Sequence, residues 1–129
     1  MKSQQSGFTL IELIAVIVII GVMAVTALPR FIDLTDAAEQ AAVDGVAGNL
    51  GSAMALNYAG AVAVAAGLTL PTVPVAVADC NVAGSLLVGG LPTGYTIGAV
   101  TIGGPGDVEL CTVTHTVSTK TATFNGIGA

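Results

Sequence analysis

The chain has 129 residues, of which 53% are hydrophobic and 9% charged, and its mean hydropathy is +0.89. That is too apolar for an ordinary soluble domain unless one segment lies in a membrane or is packed in an assembly. Eight acids against three Lys and Arg give a formal charge of −5, which argues against nucleic acid as the main partner, since phosphate contacts need clustered Lys and Arg, and against docking on an anionic lipid surface.

The first seven residues, Met1 to Gly7, are polar and carry Lys2. The 21 residues from Phe8 to Leu28 are apolar except for Glu12 and two Thr, and at ~1.5 Å per residue a helix of that length spans a bilayer core. It is hydrophobic on all sides, so no amphipathic face is reserved for a globular partner. An ordinary secretory signal places its small-residue cleavage site after the apolar core. Here the small residue, Gly7, stands before it. Cleavage after Gly7 would discard the polar leader, keep the apolar segment and make Phe8 the new N-terminus. Lys2 ahead of the span favours a cytoplasmic N-terminus with the rest of the chain outside, although Arg30 just beyond the span keeps the charge asymmetry small.

Glu12 lies inside this apolar run, where a carboxylate costs several kcal/mol unless it is paired or neutral. The free amine that cleavage creates on Phe8 would lie about one helical turn away. The pair can form within one subunit, or between staggered subunits, where it would set the register of an assembly.

Beyond Pro29 the pattern changes to an amphipathic helix from Arg30 to about Tyr58. Phe31, Leu34, Ala38, Ala41 and Ala42, Gly45, and Gly48 and Asn49 recur at helical spacing, with Asp33, Asp36, Glu39, Gln40 and Asp44 largely elsewhere. Pro29 is expected to kink or loosen one long helix, not to end it. With Gly21 eight residues earlier, the stretch between them is intrinsically weak helix. Gly45, Gly48 and Gly51 form either a small-residue stripe for close approach of another element or simply a weak, Ala-rich helix. Residues 60–84, with Pro71 and Pro74, read as a loop with room for a further helical turn before Gly67. Strands are expected at 85–91, 94–102, 108–117 and 120–125, with Cys111, Val113, His115 and Val117 on one covered face.

Cys80 and Cys111 lie far behind a membrane-targeting segment, which favours a disulfide in an oxidising compartment over two buried thiols. Such a bridge contributes on the order of 3–4 kcal/mol, a large share of the stability of a small, aromatic-poor domain. Two Cys and one His fall short of a structural zinc site, and Asp107 with Glu109 lack the Asp-x-Asp-x-Asp-Gly pattern of a calcium loop; no metal is expected. His115, the one histidine, reads as a packed, hydrogen-bonded residue. No nucleophile pairs with it in the sequence, and there is no phosphate loop, G-x-S-x-G or H-E-x-x-H. Neither catalytic residues nor a cofactor are expected.

The run from Gly7, G-F-T-L-I-E-L-I-A-V-I-V-I-I-G-V, resembles the N-terminal signature of bacterial type IV pilins and the related pseudopilins of type II secretion. The stretch A-V-T-A-L-P-R-F, followed by an Ala-rich helix, is most similar to mannose-sensitive-haemagglutinin-type (type IVa) pilins. The specific likeness ends near Phe31. The resemblance implies an α+β fold: a long N-terminal helix packed on a small antiparallel β-sheet head with a disulfide loop from 80 to 111. On that plan residues 1–7 are a leader, 8–28 the membrane and filament-core helix, 29–60 its amphipathic second half and 61–129 the head. It further implies cutting after Gly7 by a prepilin peptidase and methylation of the Phe8 amine. The inner membrane would hold the subunit until an assembly platform and its cytoplasmic ATPase extract it. Homopolymerisation into an extracellular filament would follow, with partial unwinding between Gly21 and Pro29. A pseudopilin is the near alternative. A DNA-uptake pilin is disfavoured by the acidic charge, and a membrane-anchored enzyme by the lack of any catalytic constellation.

Overall fold

The computed structural model describes residues 7–129; the leader residues 1–6, Lys2 among them, lie outside the described residues. The chain is α+β. A helix α1 (Leu10–Ala65) is followed by a short 3-10 helix (Cys80–Leu86) and the strands β1 (Tyr95–Ile97), β2 (Val108–His115) and β3 (Thr121–Ile127). The chain divides into two compact units, one ending at Ala37 and one from Ala38 to Ala129.

The first unit is the apolar part of α1. Every described residue from Gly7 to Ala37 is exposed except the half-buried Ala27. Pro29 lies within the helix, where it removes one backbone donor.

In the second unit α1 becomes amphipathic. Val43, Ala47, Leu50 and Met54 are its buried residues, at spacings of four, three and four, which put them on one stripe. The face expected from the sequence, Phe31, Leu34, Ala38, Ala41, Ala42, Gly45, Gly48 and Asn49, is exposed instead. Small apolar residues lie on several sides of this Ala-rich stretch, and the larger Val43, Leu50 and Met54, with Ala47 among them, fill the core. They join Val77, Cys80, Ala83, Ile102, Cys111, Val113 and Phe124 in the core. The helix outlasts the expected end near Tyr58 because the sequence after it, Ala59-Gly60-Ala61-Val62-Ala63-Val64-Ala65, is rich in the best helix former. It stops at Gly67, whose φ of +87° is the left-handed cap conformation. Leu68 N–H donates to Ala63 C=O at 3.0 Å and Gly67 N–H to Val64 C=O at 2.9 Å, the paired bonds of a Schellman motif.

The loop that follows is tied back to the helix. Asn57 donates through Nδ2 to Val75 C=O at 2.7 Å and accepts from Val75 N–H at 2.8 Å, so one side-chain amide satisfies both backbone groups of a loop residue.

The sheet is antiparallel in the order β1-β2-β3. Its register sets Cys111 opposite Phe124 and Val113 opposite Ala122, so the inward face carries the core. The opposite face pairs Thr112 with Thr123 and Thr114 with Thr121.

Three of the expected strands are recovered in shortened or shifted form, at Tyr95–Ile97, Val108–His115 and Thr121–Ile127; the first, 85–91, is not. Residues 85–91 are not a strand: a 3-10 helix runs from Cys80 to Leu86 and is capped by Asp79, whose carboxylate accepts from Asn81 N–H at 2.8 Å. A short apolar run such as Ser85-Leu86-Leu87-Val88 has no periodicity that separates strand from helix. The second expected strand shrinks to Tyr95–Ile97, with an isolated bridge between Asp79 and Thr101 beyond it. The third ends at His115, so Val117 stands in the turn, 83% exposed, and not on the covered face.

Candidate functional site

The residues singled out for processing and assembly lie at the start of α1, and local chemistry sets where that helix begins. Thr9 C=O accepts the first helical bond, from Leu13 N–H at 3.2 Å. Glu12 N–H donates to Thr9 Oγ1 at 3.4 Å. In return Glu12 Oε2 accepts from Thr9 N–H at 2.9 Å and from the Thr9 hydroxyl at 2.6 Å. This reciprocal pair is a capping box: Thr9 is the N-cap and Glu12 the third helical residue. It places a carboxylate in the first turn, where the helix dipole favours negative charge.

Gly7, Phe8 and Thr9 are therefore non-helical, and Phe8 is 90% exposed. The nitrogen of Phe8 is here an amide within the chain, so the expected pairing of a Phe8 ammonium with Glu12 would require cleavage after Gly7. Glu12 is bonded instead to Thr9, and among the described residues its Oε1 has no hydrogen bond. Thr9 is the residue that sequence reading missed. Its signal was present, because Thr-x-x-Glu directly ahead of an apolar run is a helix-start signature.

Downstream, α1 is long and apolar enough to cross a membrane by length and composition. Leu10, Ile11, Ile14, Ile17, Ile20 and Val25 are all exposed, an apolar surface far larger than a soluble chain leaves uncovered. Gly21 has nothing within 4 Å of the position a Cβ would take. Thr26, between Gly21 and Pro29, turns its hydroxyl back onto Met23 C=O at 3.0 Å, a local contact of the kind that bends helices.

The second pair of singled-out residues is in the head. Cys80 and Cys111 form a disulfide across 31 positions of sequence, with their Cα atoms 5.7 Å apart, and both are fully buried. The bridge ties the 3-10 helix to the central strand. Gly126 lies beneath it: a Cβ there would overlap Cys111 Sγ and Ile102 Cδ1. Only glycine fits, a requirement that pairing across the sheet creates.

Of Gly45, Gly48 and Gly51, only Gly51 has a neighbour, with Phe124 Cβ at ordinary contact distance, 3.7 Å, from its virtual Cβ; Gly45 and Gly48 face open space, so the three do not form a stripe for close approach. The close approach on α1 is at Gly60, whose virtual Cβ is 3.2 Å from Pro74 Cγ. His115 is half-buried, with Nδ1 2.8 Å from Ser118 Oγ and its ring centroid 5.0 Å from that of Tyr95, so it closes the β2–β3 turn. Among the described residues no group of three or more His, Cys, Asp or Glu could hold a metal ion.

Residues 2–28 match the family described as the prokaryotic N-terminal methylation motif. The chain is also similar to the type IV narrow pilus major component PilA5 of Thermus thermophilus, at 60% identity over 50 residues. That likeness covers 39% of this chain and 43% of the relative, less than half of either. No solved structure matches the chain significantly. The methylation motif falls on the segment that holds the Thr9–Glu12 box and the exposed apolar helix, and together with the pilin likeness it supports a type IV pilin.

Proposed function

We propose that this chain is the structural subunit of a type IV pilus-like extracellular filament, made as a membrane-held precursor and polymerised through its N-terminal helix. The observation that carries the reading is the coincidence of the methylation motif, residues 2–28, with a helix segment exposed on all sides. Such a surface needs lipid before assembly and neighbouring helices after it, and a helix with no face committed to its own head can be covered by either.

On this reading a prepilin peptidase cuts between Gly7 and Phe8, and the new amine is methylated and stays cationic. In the precursor Glu12 is held by Thr9. In the filament its carboxylate meets the Phe8 ammonium of the same or a neighbouring subunit, and an intersubunit pair fixes the stagger because a buried charge is tolerated only where it is matched. Gly21 and Pro29 bound the stretch that yields most easily when the helices pack. The head lies outside the inner membrane, where an oxidising compartment keeps Cys80 and Cys111 bridged.

Intact mass spectrometry of the protein from cells, with electron microscopy of sheared surface material, tests the proposal. The expected result is a chain starting at methylated Phe8, two hydrogens short for the disulfide, in long extracellular filaments built mainly from it. A chain that keeps Met1–Gly7 overturns the processing step. A processed chain confined to the periplasm and inner membrane makes it a pseudopilin.

A further inference from the structure

We infer that Thr9 is a positioning residue for leader removal: its capping box with Glu12 stops the helix one residue short of Phe8 and so keeps the Gly7–Phe8 bond out of helical structure, where a peptidase can engage it. The inference rests on the cleavage site given under Proposed function and adds a residue to it.

A peptide bond inside a helix has its groups turned along the axis and committed to the helical ladder. A bond entering a hydrolytic site must present its carbonyl and both flanking residues. The boundary between these states lies at Thr9. Its carbonyl accepts the first helical bond, at 3.2 Å. Its own N–H, which would otherwise donate to a residue upstream and draw the helix through Phe8, is taken by Glu12 Oε2 at 2.9 Å. The hydroxyl closes the box at 2.6 Å. Gly7 and Phe8 are left outside, and nothing lies within 4 Å of where a Gly7 Cβ would be.

Without the box the boundary has reason to move. At a membrane edge, unsatisfied backbone N–H groups are costly and favour further helix. The next capping-type residue upstream is Ser6. A cap there would make Gly7 and Phe8 the first two helical residues and bury the scissile bond in the first turn. Glu12 accordingly has two successive partners. It holds Thr9 while the leader is attached, and the Phe8 ammonium appears only once the bond is cut.

The test is the rate of leader loss from the full-length precursor in membranes containing the peptidase, followed by intact mass, with hydrogen exchange at the Leu10 and Ile11 amides. Thr9→Val keeps the side-chain shape and removes the hydroxyl. It is expected to slow cleavage by about two- to thirtyfold, the population shift that loss of one cap produces, and to raise amide protection at Leu10 and Ile11, whose N–H groups would then donate to the Ser6 and Gly7 carbonyls. Thr9→Ser restores the cap and is expected to restore the rate. Parental cleavage of Thr9→Val overturns the inference, as does failure of Thr9→Ser to recover. An unmodified precursor that is never cut after Gly7 overturns instead the processing step on which it rests.

Discussion

Residues 10–37 and residues 38–65 belong to one helix and use similar residues, yet they bury opposite amounts of themselves. In the first stretch Ile, Val, Leu and Ala occupy every side, and all but Ala27 are exposed. In the second, Val43, Ala47, Leu50 and Met54 alone are buried, at heptad-like spacing, and the other faces carry mainly Ala, Gly, Asn, Ser and acids, with Leu56, Val62 and Val64 exposed among them. Hydrophobicity therefore does not decide whether a stretch is core; its arrangement around the axis does. The amphipathic stretch is stabilised by its own head. The uniform one finds no such burial among the described residues, and on the proposed reading it is covered by lipid first and by neighbouring helices afterwards.

The sharpest way to break this contrast is to weaken the head alone. Reducing the Cys80–Cys111 bridge, or replacing both cysteines with Ser, is expected to destabilise it by about 3–4 kcal/mol, since the bridge closes a loop of 31 residues. The loss should appear in the urea midpoint of the detergent-solubilised chain and in faster hydrogen exchange of β2 and β3. Exchange at residues 10–30 should not change. If both stretches loosen together, the helix does not divide as described.

Leu50→Ala comes next. Leu50 is fully buried between the helix and the rest of the core, and the cavity is expected to cost about 3 kcal/mol by the same urea measurement. Gly126→Ala follows at about 1–3 kcal/mol: the added methyl overlaps Cys111 Sγ and Ile102 Cδ1 and must push the disulfide or the strand aside. Because Gly126 packs directly on the disulfide sulfur, its effect should shrink when the bridge is reduced, and a double-mutant cycle would read that coupling.

How legible each stretch was in the sequence follows from the same contrast. The N-terminal features are local. A small residue before the apolar run, an acid inside it, and a glycine and a proline near its end lie within a single stretch, and their order carries the meaning. Thr9 was just as local and was missed because a Glu in an apolar run suggests an ionic partner before it suggests a cap. The head was less legible because its constraints join distant residues. Residues 80–86 become a 3-10 helix where Asp79 caps them and Cys80 is held to β2, and neither cause is visible in Ser85-Leu86-Leu87-Val88. Gly126 is required by a sulfur fifteen positions away in sequence, brought over it only by the β2–β3 register. The buried stripe on α1 was read on the wrong face: Ala and Gly are spread around this part of the helix, so the spacing from Phe31 to Asn49 looked like a covered face, whereas Val43, Ala47, Leu50 and Met54 are the residues that the core covers.

The smallest expected effect on the head belongs to Ile17→Ala, and it sharpens the comparison most. Ile17 and Leu50 lie on one helix and are both large aliphatic residues, but Ile17 is 57% exposed and Leu50 not at all. Truncating Ile17 leaves no cavity in the chain, so the head's urea midpoint should move by less than about 0.5 kcal/mol. The lost methylenes matter only where something outside covers them, at ~0.8 kcal/mol per buried CH₂. In a filament that loss is repeated in every subunit, so Ile17→Ala should lower filament yield in sheared surface fractions while the membrane pool of processed subunit is unchanged. A variant with an intact head, normal leader removal and fewer filaments would show that the apolar half of α1 is used between chains. If Ile17→Ala instead destabilises the head as Leu50→Ala does, the two halves of the helix share one core and the division between them is wrong.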